Sequence, residues 1–108
     1  TITYDEFRKM EIKIGQILEV NDHPNADKLY VLTVDLGAEK RTLVAGIKAH
    51  YTKEDLINKK IIVLANLEPR ELRGIQSNGM LLAASTEDKS KVVILTVESD
   101  IPNGSTVQ

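Results

Sequence analysis

The residues of this chain that could do chemistry are mostly cations and amides, and they lie in its middle half. The cations are Lys28, Lys40, Arg41, Arg70 and Arg73. The amide and hydroxyl side chains near them in the sequence are Asn25, Asn66, Ser77 and Asn78. Lys and Arg contact phosphate oxygens, whereas Asn and Ser contact sugars and base edges. These residue types therefore make a nucleic acid one candidate ligand.

Residues suited to enzymatic chemistry are sparse. The only histidines are His23 and His50, they form no HxH or HExxH pair, and cysteine is absent, so the ligand set of a zinc site is missing. Ser77 and Ser85 lack the GxSxG context of a serine nucleophile, and no glycine-rich phosphate loop is present. The sequence therefore predicts no catalytic residue, no metal and no cofactor.

The net charge argues weakly against a nucleic-acid partner, whereas the charge distribution argues for one. The chain carries a net charge of −2 and has a pI of about 5.7. Residues 28–73 nevertheless hold nine bases and six acids, and both flanking segments are acidic. A local basic face on an acidic protein predicts moderate, salt-sensitive binding rather than tight binding to any RNA.

The size and composition suit one globular domain over residues 1–108, of which 42% are hydrophobic and 28% charged. No apolar run approaches the roughly 20 residues that span a bilayer, and the absence of cysteine fits a reducing compartment. We therefore expect a soluble, cytoplasmic protein without membrane contact. Because the chain opens on Thr1, it is either a fragment of a longer protein or one that has lost its initiator methionine.

The chain is predicted to begin with a short helix. Thr3 and Glu6 match a capping box at its start. Tyr4, Phe7 and Met10 are spaced for one buried helical face.

Short apolar runs predict strands along the rest of the chain. They cover 12–20, 29–36, 40–45, 61–65, 80–84 and 92–95, with a helical turn in "TKEDL", a loop over 66–78, and a turn and short strand at the end. Gly15 predicts a bulge or bend in the first strand. A helix between the third and fourth strands is typical of the OB-fold. We therefore predict an all-β protein with short helices: a five-stranded OB-fold barrel with additional N- and C-terminal elements.

The stretch "VNDHPNADKLYVL" (20–32) interrupts two strands with a loop longer than a simple hairpin needs. Pro24 should stiffen this loop, and Asp27 should brace it by accepting a backbone N–H. Lys28 would then leave from a fixed base, and a prearranged cation loses less entropy on binding. An ordinary His-Pro turn accounts for His23.

Each candidate also has a purely structural explanation. Lys40 and Arg41 fit a solvated hairpin tip, Arg70 and Arg73 could pair with neighbouring glutamates, and Met80 fits a core position. The residues alone therefore leave the ligand of the barrel open.

Three separated stretches resemble the tRNA-binding domain family of the OB superfamily. They are "HPNADKLY", "LVAGI" and "ANLEPRELRGIQSNGMLLAAS", and the opening "ITYDEFRKMEIKIGQI" resembles the start of that family as well. The family includes the C-terminal domain of methionyl-tRNA synthetase and free-standing homodimeric tRNA-binding proteins. The resemblance covers the whole chain and implies an OB barrel that binds tRNA by the shape of its elbow, largely without sequence preference.

The resemblance also implies which residues contact RNA, in addition to Lys40 and Arg41, which charge alone suggests. They form two segments, namely Asn25, Asp27 and Lys28, then Arg73, Ser77, Asn78, Gly79 and Met80. The chain departs from the family at Ala45, where serine is frequent, and at Asn78, where glutamate is frequent. The first change removes one possible contact, and the second removes a repulsive charge near phosphate.

We therefore expect a noncatalytic module that binds tRNA and assists aminoacylation, as an appended domain or subunit of methionyl-tRNA synthetase. Apolar residues of the terminal segments predict a homodimer interface, drawn from Ile2, Phe7, Ile94, Val97 and Ile101. The alternative is a protein–protein dimerisation or assembly module of a synthetase complex without direct RNA contact. A general single-strand binder is a third reading, although four aromatic residues are few for base stacking.

Overall fold

The computed structural model describes all residues, 1–108, in two short helices and nine strands. In chain order they are α1 (Tyr4–Arg8), β1 (Ile12–Asp22), β2 (Tyr30–Asp35), β3 (Lys40–Ala45), α2 (Lys53–Leu56), β4 (Lys60–Leu64), β5 (Arg70–Leu72), β6 (Ile75–Ser77), β7 (Met80–Leu81), β8 (Ala83–Ser85) and β9 (Val92–Ile94). The predicted order of three strands, a helix and further strands is confirmed.

Five strands form one antiparallel sheet in the order β3-β2-β1-β4-β7. The long β1 pairs with β4 along its first half and with β2 along its second half, so it belongs to both sides of the barrel. The outer strands β3 and β7 also contact each other, and the Asn78 N–H donates to the Thr42 carbonyl at 2.9 Å beside them. The sheet is therefore nearly closed, and the predicted OB-fold barrel is confirmed.

The barrel interior is filled by the inward-facing residues of these strands. In β2 the buried residues Tyr30, Leu32 and Val34 alternate with half-buried ones, as expected of a strand with one face on the core. Leu32 and Val34 are fully buried, and burying such a side chain contributes roughly 1.5–3 kcal/mol to folding.

Gly15 serves close packing rather than a bulge. The register between β1 and β2 shifts between Ile17 and Glu19, so the bulge predicted at Gly15 lies further along the strand. A Cβ atom at Gly15 would lie 2.7 Å from Cγ1 of Val34 and 2.9 Å from Cδ2 of Leu36. The strands can approach this closely only because position 15 lacks a side chain.

Both helices begin with capping boxes. In α1 the Glu6 N–H donates to Thr3 Oγ1 at 3.1 Å, and the Thr3 N–H donates to the Glu6 carboxylate at 3.2 Å. Thr52 and Asp55 repeat this arrangement in α2. Neither helix has the length and apolar character that crossing a membrane would require.

The apolar face predicted on α1 is not buried in a single chain, and that prediction is wrong. Tyr4 is 67% exposed, Met10 is also exposed, and Phe7 is half-buried. The helix segment instead exposes the apolar side chains of Tyr4 and Met10 to solvent.

The segment predicted as a loop over 66–78 contains an additional hairpin, β5–β6, with a two-residue turn. The strand predicted over 80–84 is divided into β7, which joins the barrel, and β8, which pairs with β9 in a separate hairpin. The hairpin β5–β6 packs against β3 and thereby positions the second predicted binding segment.

The C-terminal residues 104–107 run along the first half of β1, on the side away from β4. The Gly104 N–H donates to the Ile14 carbonyl at 2.7 Å, and the Val107 N–H donates to the Ile12 carbonyl at 2.8 Å. The short strand predicted at this end is a single bridge between Lys13 and Thr106.

Candidate nucleic-acid interface

The loop between β1 and β2, residues 23–29, is organised by His23, whose side chain lies inside the loop. His23 is only 5% exposed, and its main-chain N–H donates to the Leu29 carbonyl at 3.1 Å, which closes the base of the loop. The Asn25 N–H donates to Nδ1 of His23 at 3.0 Å. The loop is therefore folded around the imidazole.

The same imidazole reaches the hairpin β5–β6. Its Nε2 lies 2.9 Å from the Leu72 carbonyl oxygen. Because the Asn25 N–H occupies the lone pair of Nδ1, the hydrogen bonds assign the proton to Nε2, which donates to Leu72. Both ring nitrogens are thus engaged, and no group of three His, Asp or Glu side chains is placed to hold a metal.

The bracing role predicted for Asp27 is wrong. Its carboxylate is exposed and makes none of the hydrogen bonds of the loop. His23 performs this role, and the sequence signals it only by a histidine before proline at the end of a strand. The partner that makes His23 structural, the Leu72 carbonyl, is a backbone atom 49 residues away, so no local pattern reveals it.

The hairpin β5–β6 carries two unpaired cations, Arg70 and Arg73. Both are exposed, and neither forms the ion pair with a neighbouring glutamate that would explain it structurally. The turn is Arg73-Gly74, with φ of +56° and +94°, so the arginine stands at the tip of the hairpin in a left-handed conformation.

Lys28 and Arg73 lie on the same side of the molecule. Arg73 and loop residues 26–29 line one shallow cleft, although the two cations are 45 positions apart in the sequence. Lys28 is exposed and makes no ion pair. The fold therefore brings together two cations from separate predicted segments.

The segment 77–80 combines shaping residues with exposed ones. Ser77 is buried, and its hydroxyl accepts the Val44 N–H and donates to the Gly79 carbonyl, each at 3.0 Å. Gly79 is also buried and has a φ of +129°. Asn78 is half-buried and Met80 is exposed. Of the four predicted contacts, Ser77 and Gly79 are therefore placed to shape the segment, and Asn78 and Met80 to reach a ligand.

Lys40 and Arg41 line a further cleft, at the tip of the β2–β3 hairpin beside Asn78. Arg41 is held within the protein, because its guanidinium donates to the Glu39 carboxylate at 2.6 Å and to the carbonyls of Ala65 and Asn78. Lys40 is exposed and unpaired. The geometry therefore leaves Lys40 available to a ligand and gives Arg41 internal partners.

Two of these clefts share lining residues and form one surface. Leu67 and Glu68 line both the cleft of Lys40 and the neighbouring cleft of Arg70 and Met80. Leu72, which lines the second cleft, directly precedes Arg73 of the cleft of Lys28. We call the exposed, unpaired cations along this surface, Lys40, Arg70, Arg73 and Lys28, the cationic edge.

The sequence of the chain matches a known protein family. Residues 12–106 match the family described as "Putative tRNA binding domain". The chain belongs to this family of tRNA-binding domains.

Relatives of this tRNA-binding domain include parts of much longer enzymes. The chain is 51% identical over 107 residues to the methionine–tRNA ligase of Pyrococcus furiosus, covering 99% of this chain and 14% of that protein. The chain thus spans about one-seventh of such relatives. A structure titled as a MetRS-related protein from Pyrococcus horikoshii superposes with a TM-score of 0.93 at 38% identity, covering 100% and 98% of the two chains. The CsaA chaperone protein of Picrophilus torridus gives 0.89 at 34% identity, with both chains fully covered.

A second basic cluster of this tRNA-binding domain, which the sequence did not predict, lies where loop 23–29 leaves β1. The Asp22 carboxylate binds the ammonium groups of Lys48 at 2.9 Å and Lys53 at 3.2 Å. The hydrogen bonds from Lys48 and then Lys53 lower the pKa of Asp22, and the bond to Asp22 raises the pKa of Lys48. One carboxylate therefore serves two ammonium groups, and the Asp27 carboxylate of the loop also contributes to the raised pKa of Lys48.

Proposed function

We propose that this chain is a noncatalytic tRNA-binding module that recognises the shape of the tRNA elbow, largely independently of sequence. The single observation that carries the proposal is the shared cleft of Lys28 and Arg73. Two unpaired cations from distant segments, held on a closed barrel, match a curved phosphate backbone better than they match a small ligand. The noncatalytic character is part of this proposal and is supported by the match to a family described as a binding domain.

Recognition by shape rather than by base stacking is supported by the placement of the aromatic residues. Tyr30 is buried, Tyr51 and Phe7 are half-buried, and Tyr4 is exposed only on the N-terminal helix. None lines a cleft of the cationic edge. A platform on which successive bases stack is therefore missing, and phosphate and sugar contacts must supply the affinity.

The relatives suggest how the module acts. Appended to, or associated with, a methionyl-tRNA synthetase in the cytoplasm, it would assist aminoacylation by raising the local concentration of tRNA at the active site. The effective concentration set by a short flexible linker is in the millimolar range, so even a moderate affinity is useful.

We also propose that the chain forms a homodimer through its terminal segments. Ile2 and Ile101 are exposed, and Phe7 and Val97 are half-buried, so these four expected interface residues are accessible. Ile94 is only 5% exposed and belongs to the barrel core, so it is removed from the interface. The exposed apolar side chains of Tyr4 and Met10 on and after α1 take its place.

Titration with intact tRNA at several salt concentrations tests the RNA role. Lys28→Ala and Arg73→Ala should each weaken binding and reduce the slope of log K against log[salt] by about 0.7–0.9, because each removes one phosphate contact. Lys91→Ala is the matched control, since Lys91 is an exposed cation that lines none of the clefts of the cationic edge. It should change neither affinity nor slope.

The same titration separates the alternatives. Unchanged tRNA binding in both edge variants, with self-association retained, would favour the assembly module without direct RNA contact. A general single-strand binder would prefer poly(U) to intact tRNA in competition. A protein that recognises the shape of tRNA should keep most of its bound tRNA when poly(U) is added.

A further inference from the structure

We propose that His23 is a positioning residue that locks loop 23–29 to the hairpin β5–β6, so that Lys28 and Arg73 meet RNA as one rigid unit. This role rests on the proposed tRNA binding and adds the device that prearranges the cationic edge. His23 itself is buried, so it would act through the residues that it holds.

The hydrogen bond from His23 to Leu72 is the only one that joins the loop to the hairpin. Its Nε2 contacts the Leu72 carbonyl at 2.9 Å, and no other hydrogen bond, from backbone or side chain, connects residues 23–29 with residues 70–77. Arg73 follows Leu72 directly, so the bond anchors the residue next to the hairpin's cationic tip.

The other ring nitrogen fixes the loop itself. Nδ1 accepts the Asn25 N–H at 3.0 Å, and the main chain of His23 is bonded to Leu29, the residue after Lys28. One residue, through its main chain and its side chain, therefore holds the segment that ends in Lys28 and the segment that begins with Arg73. A pair of cations held at fixed separation loses less conformational entropy on binding than two independent ones.

Two conservative substitutions each remove one of these two hydrogen bonds and keep the other. In His23→Asn the amide oxygen lies two bonds from Cβ, as Nδ1 does, so it can accept the Asn25 N–H but cannot reach Leu72. In His23→Gln the amide nitrogen lies three bonds from Cβ, as Nε2 does, so it can donate to Leu72 and loses the bond to Asn25. The pair therefore separates the link between segments from the fold of the loop.

We expect His23→Asn to bind tRNA about three- to tenfold more weakly, because two side chains must be ordered on binding. His23→Gln should stay within about twofold of the unmodified chain, since it keeps the link. Ile94→Val, which removes one methyl group from the core, is the control for general destabilisation and should leave tRNA affinity unchanged.

Imidazole ¹⁵N NMR of the protein without RNA tests the hydrogen bond to Leu72 independently of tRNA affinity. We expect an unprotonated Nδ1 and a protonated Nε2 whose hydrogen exchanges slowly with water. A protonated Nδ1, or rapid exchange at Nε2, would overturn the link whatever the RNA measurements give.

The outcomes for this role and for the proposed function differ. If the unmodified chain binds tRNA and His23→Asn binds equally well, the positioning role is overturned and the proposed function stands. If the unmodified chain binds no tRNA, the proposed function fails, and the role of His23 in RNA binding fails with it. Equal losses of tRNA affinity in His23→Asn and Ile94→Val would also overturn the positioning role, because the loss would then follow from lower stability of the fold.

Discussion

At the scale of single residues, the second binding segment contains side chains that shape it and side chains that are free to contact RNA. Ser77 is of the first kind, because its buried hydroxyl bridges the Val44 N–H and the Gly79 carbonyl. Ser77→Ala leaves both groups without this partner, so we expect the free energy of unfolding to fall by about 1–3 kcal/mol, measured by urea denaturation.

Ser85→Ala is the matched control for this prediction. Ser85 is an exposed strand residue, so its substitution should change stability by less than about 0.5 kcal/mol. The folded fraction of Ser77→Ala should keep its tRNA affinity. A loss of affinity without a loss of stability would instead identify Ser77 as an RNA contact.

The exposure of the cations could be predicted from the sequence because it depends on residue type alone. Lys28 and Arg73 are charged and stand outside the apolar alternation, so their exposure follows from residue type. The roles of His23 and Arg41 were missed because their partners, the carbonyls of Leu72 and Ala65, are backbone atoms far along the chain. A carbonyl has no signature in the sequence, so such bonds become visible only when the fold closes.

At the scale of elements, the hairpin β5–β6 stores backbone strain where its cation is presented. A two-residue turn with positive φ at both positions suits asparagine and glycine, yet Arg73 occupies the first position at +56°. We expect Arg73→Asn to raise the free energy of unfolding by a few tenths to about 1 kcal/mol, since asparagine adopts this conformation more readily. The same change should weaken tRNA binding, because it removes a cation from the edge.

Lys89→Asn is a matched control for the Arg73 substitution. Lys89 is an exposed cation with a φ of +60° in the turn between β8 and β9. Its substitution relieves the same strain and removes the same charge, so stability should rise similarly while tRNA affinity stays unchanged. If Lys89→Asn weakens tRNA binding as much as Arg73→Asn does, the loss of affinity is caused by the change in net charge. The proposed role of the hairpin tip would then be refuted.

The elements that the sequence predicted well are those whose pattern follows from burial. The alternation in β2 and the run in β4 exist because one face of each strand fills the core, and both strands were predicted close to their observed ends. The hairpin β5–β6 was missed because it is mostly exposed and has an arginine where turn chemistry favours asparagine. The apolar face of α1 follows a buried pattern but is exposed in this structure, and the proposed homodimer would account for it.

At the scale of the whole molecule, the fold brings together the cations of the proposed binding surface. Lys28 precedes β2, whereas Arg73 lies between β4 and β7, and they share a cleft because the hairpin β5–β6 packs against β3, the partner strand of β2. The excess of acidic residues lies in the segments before Lys28 and after Arg73, and it accounts for the net charge of −2. An acidic protein can therefore present a local basic face, which the net charge alone argued against.

The exposed apolar residues of the N-terminal segment lead to a prediction about assembly. Tyr4, Phe7 and Met10 line a groove with the C-terminal residues Thr106 and Val107, and the barrel core does not use these side chains. A second copy is the occupant that the family resemblance suggests, and closed oligomers bury such a patch against its symmetry mate. Light scattering at micromolar concentration should therefore give twice the 12.0 kDa of one chain.

Tyr4→Glu tests the proposed interface without weakening the chain itself. Tyr4 is 67% exposed and is the first residue of α1, where a carboxylate is favourable near the helix N-terminus, so the monomer should fold normally. A buried, unpaired charge in the interface should then shift the measured mass to that of one chain. Ile57→Glu places the same charge on another exposed apolar residue and should leave the dimer intact. The mass of a single chain in the unmodified protein would contradict the dimer, and dissociation by both variants would place the interface elsewhere.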